Sequence, residues 1–163
     1  MAVNKYRDHI YIIPEDDANR QIAVGFEKDF RIKTRTIQTL PVAGGWTLAV
    51  EKLLAECVSI LRSNSKSHVV VLIDSDNQPD RINKSLADVP DDVRDRVFIL
   101  GAFREPESLK EAAKLHFEQI GERLAEECYV GDTNLWGHDE FSHISNEVSR
   151  AKDSLRSLIF VEE

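Results

Sequence analysis

Short apolar runs alternate with longer amphipathic stretches along this chain. The apolar runs predict β-strands at 9–13, 30–37, 68–73 and 96–103, with 158–162 as a candidate final strand. The amphipathic stretches predict helices at 17–28, 46–62, 106–128 and 138–157, and the polar stretch 77–95 leaves room for a short one. This alternation favours stacked β–α units around a mostly parallel sheet.

Two stretches support this prediction most directly. In the segment 46–62, apolar residues recur at steps of three and four and so form one helical face: Trp46, Val50, Leu53, Cys57 and Ile60. The run 68–73 is apolar throughout, as expected for a central strand that helices cover on both faces. We therefore expect an α/β, Rossmann-like fold in which helices flank a mostly parallel sheet.

The length of 163 residues fits a single domain, with a core at about 9–103 and a C-terminal helical extension at about 104–163. No apolar run reaches the roughly 20 residues that span a bilayer. The start of the chain lacks the long apolar run of a signal peptide, so we expect a cytoplasmic protein with no membrane partner. Cys57 and Cys128 lack metal-ligand spacing, and Cys57 is expected to be a buried, reduced thiol.

The net charge of -8 argues against a broad nucleic-acid surface but leaves room for a local basic patch. Arg31, Lys33 and Arg35 would share one face of the second predicted strand, because strand side chains alternate with period two. They fit contacts to a phosphate backbone, and they fit equally the charged side chains that protect an edge strand from pairing.

Acidic residues follow the predicted strands. Glu15 comes after the first strand, Asp74 and Asp76 come after the third, and Glu107 comes after the fourth. Ligands of parallel α/β sheets bind beyond the carboxyl ends of the strands. Carboxylates that converge there disfavour one another's ionised forms, and a hard divalent cation removes that cost. The sequence thus predicts a magnesium or manganese site held by Glu15, Asp74 and Asp76, with Glu107 as a further ligand.

Other positions at these strand ends allow more than one interpretation. Asp16 and Asp17 suit the N-terminus of the next helix, as does Glu107 in its own first turn. Gly44 and Gly45 let backbone amides approach an anion closely, or they form a tight turn. His138 and His143 lie five residues apart, about 140° around a helix, which is poor for shared chelation. His138 is a candidate general base if it lies in the preceding loop.

These residues resemble a Toprim domain, the metal-binding α/β module of topoisomerases, bacterial primases and overcoming-lysogenization-defect (OLD) nucleases. The family has a Glu after its first strand, a Gly after its second and Asp-x-Asp after its third. Glu15, Gly44 or Gly45, and the pair Asp74 and Asp76 match this order over residues 9–103. The stretch from "RVFILGAFREPESLK" onward looks like small, uncharacterised bacterial Toprim-like proteins related to the OLD nucleases.

The resemblance implies that Glu15 acts in acid–base chemistry or metal binding and that Asp74 and Asp76 hold magnesium. The reaction would be phosphodiester cleavage or phosphoryl transfer on nucleic acid, and analogy with OLD nucleases suggests phage defence. The chain departs from the family where Asp16 replaces the usual Gly and Asn19 replaces an expected acid, and it has no evident tyrosine nucleophile.

Two other function classes fit the same sequence. A non-catalytic Toprim-like module would keep the fold and bind a protein partner in a larger complex. A receiver-like signalling domain also has acids after its first strand and a phosphoacceptor Asp after its third, and acetyl phosphate would label that Asp. A convincing Lys at the end of a late strand, which a receiver needs, is missing here.

Overall fold

The computed structural model describes residues 2–162, and its centre is a four-stranded sheet in which every strand is parallel to its neighbours. The strands are β1 (His9–Pro14), β2 (Ile37–Thr39), β3 (Ser67–Leu72) and β4 (Val97–Leu100). Their order in the sheet is β2-β1-β3-β4. The predicted α/β, Rossmann-like architecture is confirmed.

Helices flank the sheet: α1 (Asp17–Glu27), α2 (Trp46–Lys52), α3 (Val58–Ser63), α4 (Arg81–Ala87), α5 (Pro106–Ala113), α6 (Phe117–Val130) and α7 (Ser145–Ile159). A π-helical turn (Leu53–Cys57) joins α2 to α3, so the predicted helix over 46–62 is confirmed. Short 3-10 turns lie at Arg94–Arg96 and Asp139–Ile144. None of the helices in residues 2–162 has the length and apolar content that a bilayer crossing requires.

The apolar strand β3 separates two cores. Val69 and Val71 belong to the core that contains Leu53 and Leu61 of the α2–α3 region. Val70 belongs to the core on the other face, which contains Leu155 and other residues of α7. Because successive strand side chains point to opposite faces, a strand covered on both faces needs apolar residues on both, and residues 69–72 of β3 provide them.

The second and last predicted strands are largely wrong. Of the stretch 30–37, only Ile37 belongs to a strand, because the chain before it turns and Arg35 adopts a left-handed conformation with φ of 59°. The period-two face proposed for the basic residues of this stretch therefore does not exist. At the other end, α7 continues to Ile159, and Phe160 makes only an isolated antiparallel bridge with Ile32.

Two predicted helices have different bounds from those expected. The stretch 106–128 contains two helices, because Lys114 adopts a left-handed conformation with φ of 55°. A capping box then starts α6, in which His116 and Gln119 accept from each other's backbone amides. The stretch 138–157 begins as a 3-10 turn before α7.

Two glycines let α1 and α6 pack at backbone distance. A Cβ atom on Gly25 would lie 1.9 Å from the Glu118 carbonyl oxygen, and one on Gly121 would lie 1.9 Å from the Ile22 carbonyl oxygen. No side chain fits at such distances, so only glycine allows this approach. This close packing fixes the position of α1, which begins two residues after Glu15.

Candidate functional site

The structure brings Glu15 and Asp74 into direct contact. Oε2 of Glu15 accepts a hydrogen bond of 2.7 Å from the Asp74 amide. The strand β1 ends at Pro14 and the chain turns into α1, so no strand backbone remains to pair with this amide. A side-chain oxygen of Glu15 takes that place, which joins the ends of β1 and β3. We call residues 15–17 and 74–77 the carboxyl edge.

The other side of the Asp74 segment stays paired beyond the assigned strands. Amides of Ile73, Ser75 and Asn77 donate to carbonyl oxygens of the last residue of β4 and of the segment that follows it, each at 2.9 Å. Asp76 and Asn77 then turn away, with left-handed φ angles of 47° and 62°. The backbone is therefore held on both sides, and Asp74 is only 6% exposed.

Carboxylates crowd one another at this edge. Burial, followed by the charges of Asp16, Glu15 and Asp76, raises the pKa of Asp74 to about 8, although a hydrogen bond from Asn19 opposes the rise. Burial also raises the pKa of Glu15, with Asp16 and Asp76 adding to the effect. The charges of Glu15 and Asp76 thus lie close enough to Asp74 to raise its pKa, and the joint role of the three acids as metal ligands stays a prediction.

Arg81 supplies positive charge to this cluster, and sequence reasoning missed it. Its Nη1 donates 2.8 Å to Oδ2 of Asp76 and 3.0 Å to the Asp74 carbonyl oxygen. The guanidinium lies over the Trp46 ring, 4.3 Å from its centroid, and Trp46 is itself held by a hydrogen bond to Ser85. Arg81 is only 8% exposed, and its buried Nε has no hydrogen-bond partner among the described residues.

Asp16, Asp17 and Glu107, for which the sequence also allowed a role at a helix N-terminus, all lie at the start of a helix. Asp16 is the N-cap of α1, where its side chain accepts from the Asn19 amide at 2.9 Å. Asp17 lies in the first turn and pairs with Arg20. Glu107 is exposed in the first turn of α5, and no hydrogen bond or ion pair of the described residues joins it to the carboxyl edge.

The glycine pair lies beside the carboxyl edge. The Gly44 amide donates to the Glu15 carbonyl oxygen at 2.9 Å, so this loop packs against the turn that holds Glu15. Both residues have positive φ, 99° for Gly44 and 155° for Gly45, a conformation that other residues rarely adopt. A tight turn accounts for both glycines, and anion binding by the amides of this loop stays a prediction.

Of the two histidines, His143 is the one that contacts the carboxyl edge. Its Nε2 lies 2.8 Å from Oγ of Ser75, and burial lowers its pKa. Ser75 is fully buried, so the pair joins the Asp139–Ile144 turn to the Asp74 loop. His138 instead caps that turn, where its Nδ1 accepts from the Glu140 amide at 3.1 Å.

A buried acid positions the segment after β4. Glu140, 1% exposed, accepts from the backbone amide of Arg104 at 2.8 Å and from its Nε at 2.6 Å. The Glu140 carbonyl oxygen also accepts from the Phe103 amide. The sequence did not predict this role, because the burial of Glu140 depends on a contact that is distant along the chain.

The donor chemistry of Glu15, Asp74 and Asp76 suits a hard divalent cation, since all three offer carboxylate oxygens. Within residues 2–162, no three His, Cys, Asp or Glu side chains already stand in an arrangement that would hold a metal ion. Glu15 is engaged by the Asp74 amide and Asp76 by Arg81. The residue types therefore fit magnesium, and Arg81 would compete with the cation for Asp76.

No protein-family model matches this chain, and no curated protein or solved structure matches it either. The resemblance to Toprim domains rests on the residues that carry it, Glu15, Gly44 or Gly45, Asp74 and Asp76, and it stays a prediction.

Proposed function

We propose that this protein is a Toprim-like, magnesium-dependent nuclease or phosphoryl-transfer domain that acts on nucleic acid. The observation that carries the proposal is the hydrogen bond of 2.7 Å from the Asp74 backbone amide to the Glu15 carboxylate, which joins these two acidic positions at the carboxyl edge of a parallel sheet, where such folds bind ligands. A raised pKa of about 8 at Asp74 adds support, because perturbed carboxylates cluster at functional sites.

Each residue has a role that its environment supports. Glu15, Asp74 and Asp76 would hold magnesium or manganese, which supplies Lewis-acid stabilisation of charge on a phosphate. Glu15 is partly buried and its pKa is raised, so it is suited to accept a proton from an attacking water. Asp76 is exposed, which leaves the site open to substrate from solvent.

A non-catalytic binding module is the second candidate, and one observation favours it. Arg81 already neutralises Asp76 through an ion pair of 2.8 Å, so the cluster contains part of its own countercharge. Glu15 likewise has a structural partner in the Asp74 amide. In that case the protein would show no metal-dependent turnover and would act by binding a protein partner.

Cleavage assays separate the two candidates. The protein is incubated with labelled single-stranded DNA, duplex DNA and RNA, with magnesium, with manganese and with EDTA. Glu15→Gln should lower the cleavage rate at least about 100-fold, because it removes a proton acceptor. The amide oxygen of Gln can still accept from the Asp74 amide, so the fold is expected to remain.

Glu111→Gln is the matched control, because Glu111 is an exposed glutamate of α5. The control should cleave like the wild type. Full activity in Glu15→Gln, with unchanged melting, would end the catalytic assignment, and absence of metal-dependent cleavage by the wild type would favour the binding module.

A further inference from the structure

The opposite edge of the sheet contains a polar cleft of about 400 Å³. Its lining comes from residues that precede β1, β2 and β3, together with the last turn of α7. We call this region the amino edge. Its charged lining residues are four cations, Arg7, Lys33, Arg35 and Lys66, and one carboxylate, Asp8.

Within residues 2–162, no ion pair joins the four cations of the cleft to a carboxylate, although Asp8 also lines it. Some cations elsewhere pair with carboxylates, as Lys28 does with Glu118 and Arg62 does with Asp92. Arg31, which the sequence grouped with Lys33 and Arg35, pairs with Asp29. None of the ion pairs found in residues 2–162 includes a cleft cation.

Three of the cleft cations are held in place by backbone carbonyl oxygens. Nζ of Lys66 donates to Tyr6 at 3.0 Å, Nε of Arg35 donates to Ala2 at 3.1 Å, and Nζ of Lys33 donates to Ser157 at 3.4 Å. These bonds orient the side chains without neutralising their charge. In a chain of net charge -8, such a concentration of positive charge indicates an anionic ligand.

Two aromatic side chains lie along the same segments. Tyr6 is 89% exposed and Phe30 is 87% exposed, the highest values among the large hydrophobic residues described. Tyr6 precedes Arg7, and Phe30 lies three residues before Lys33 in the same loop. Single-stranded nucleic acids are bound by this combination, in which cations contact phosphates and exposed aromatic rings stack on bases.

We propose that the amino edge binds single-stranded nucleic acid, with Arg7, Lys33, Arg35 and Lys66 on the phosphates and Tyr6 and Phe30 against the bases. This surface is distinct from the carboxyl edge, because strands of six residues separate the two edges by about 20 Å. The proposal goes beyond the proposed function and does not rest on it, since binding here needs no metal.

Fluorescence anisotropy in EDTA tests the proposal with a labelled oligothymidylate of about 20 nucleotides. We expect a dissociation constant of about 1–100 µM that rises with salt, as for other binding dominated by phosphates. Arg7→Gln with Lys66→Gln should weaken binding about tenfold and reduce the slope of log affinity against log salt by about 1.4. Tyr6→Ala should weaken binding about tenfold through lost stacking.

The matched control is Lys28→Gln with Arg62→Gln, which removes the same charge and the same residue types from paired positions outside the cleft. It should bind like the wild type, and thermal melting by circular dichroism should show all variants folded. Equal loss of binding in control and cleft variants would overturn the proposal.

Two other ligands test the chemistry of the cleft. Duplex DNA of the same length should bind more weakly than the single strand, because its bases cannot stack on Tyr6 and Phe30. Inorganic tripolyphosphate should compete with the strand only weakly. Tighter binding of duplex, or an unchanged affinity in Tyr6→Ala with strong competition by tripolyphosphate, would contradict a single-strand site.

Discussion

The two edges of the sheet carry opposite charge and differ in how that charge is accommodated. At the carboxyl edge, Glu15 and Asp74 are buried or partly buried, and burial together with neighbouring carboxylates raises their pKa values. At the amino edge, Arg7 and Lys66 are exposed, and water solvates their charge. Charge at the first edge thus costs folding free energy, whereas charge at the second costs little.

This difference indicates two kinds of ligand. A buried cluster of carboxylates is stabilised most by a small, highly charged cation that fits between them. Most cations of the amino edge are exposed, and those with hydrogen bonds donate them to backbone carbonyl oxygens. Such cations suit an extended polyanion, because its phosphates can contact several of them at once. A parallel sheet produces both arrangements, because it gathers loops that are distant in sequence at each of its ends.

Asp74→Asn tests the charge at the carboxyl edge and has the largest expected effect. The variant should bind manganese at least about tenfold more weakly, since it removes an anionic ligand. Without metal at pH 9, it should be more stable by a few kcal/mol, because each unit of pKa shift corresponds to about 1.4 kcal/mol. Isothermal titration calorimetry and chemical denaturation measure the two effects. Lower stability at pH 9 would show that Asp74 is needed as a hydrogen-bonding group.

The raised pKa of Asp74 should also make the stability of the wild type depend on pH. The folded pKa of Asp74, about 8, lies above its ordinary value of 3.8, so the folded state holds the proton more tightly than the unfolded state. This contribution is fully present below pH 4 and is lost as the pH rises to about 8. Denaturation in EDTA should therefore show falling stability from pH 5 to pH 8, with a smaller fall in Asp74→Asn. A flat profile would contradict the buried cluster.

Arg81→Met tests the internal countercharge of the same edge. We expect a loss of about 1–3 kcal/mol in the free energy of unfolding, because Asp76 and the Asp74 carbonyl oxygen lose a charged donor. Manganese affinity should rise, since the cation no longer competes with Arg81 for Asp76. If calorimetry shows weaker manganese binding, Arg81 supports the metal site and does not compete with it.

The smallest effect is expected for variants that test whether the two edges bind their ligands independently. Arg7→Gln with Lys66→Gln should leave manganese affinity unchanged, and Glu15→Gln should leave oligothymidylate affinity in EDTA unchanged. The edges lie about 20 Å apart, more than twice the Debye length of about 8 Å at physiological salt. A shift of either affinity would show that one site extends across both edges.

The sequence predicted the parts of the fold that depend on local pattern. Unbroken apolar runs identified β1 and β3, and a strand that must be apolar on both faces leaves little ambiguity. The stretch 30–37 was wrongly predicted as a strand because its residues alternate as strand residues do. The turn at Arg35 depends instead on packing against the N-terminal segment, where the Asn4 amide donates to the Arg35 carbonyl oxygen. Tertiary contacts of this kind override local preference.

The acidic residues of the candidate site could be predicted from the sequence, but its cation could not. Glu15, Asp74 and Asp76 each follow an apolar strand, so topology alone brings them together. Arg81 looks like a surface residue at the start of a short helix, and its burial depends on Trp46, which is distant along the chain. At the amino edge the sequence pointed to Lys33 and Arg35, but it did not predict that Arg7 and Lys66 would lie beside them, because only the fold brings these residues together.

Anomalous diffraction from a crystal soaked in manganese tests the central claim most directly, because it locates the ion without assuming an activity. We predict a peak bounded by the carboxylates of Glu15, Asp74 and Asp76, with the Asp76–Arg81 ion pair broken. No peak at the carboxyl edge, with that ion pair intact and the ion bound elsewhere or not at all, would contradict the account.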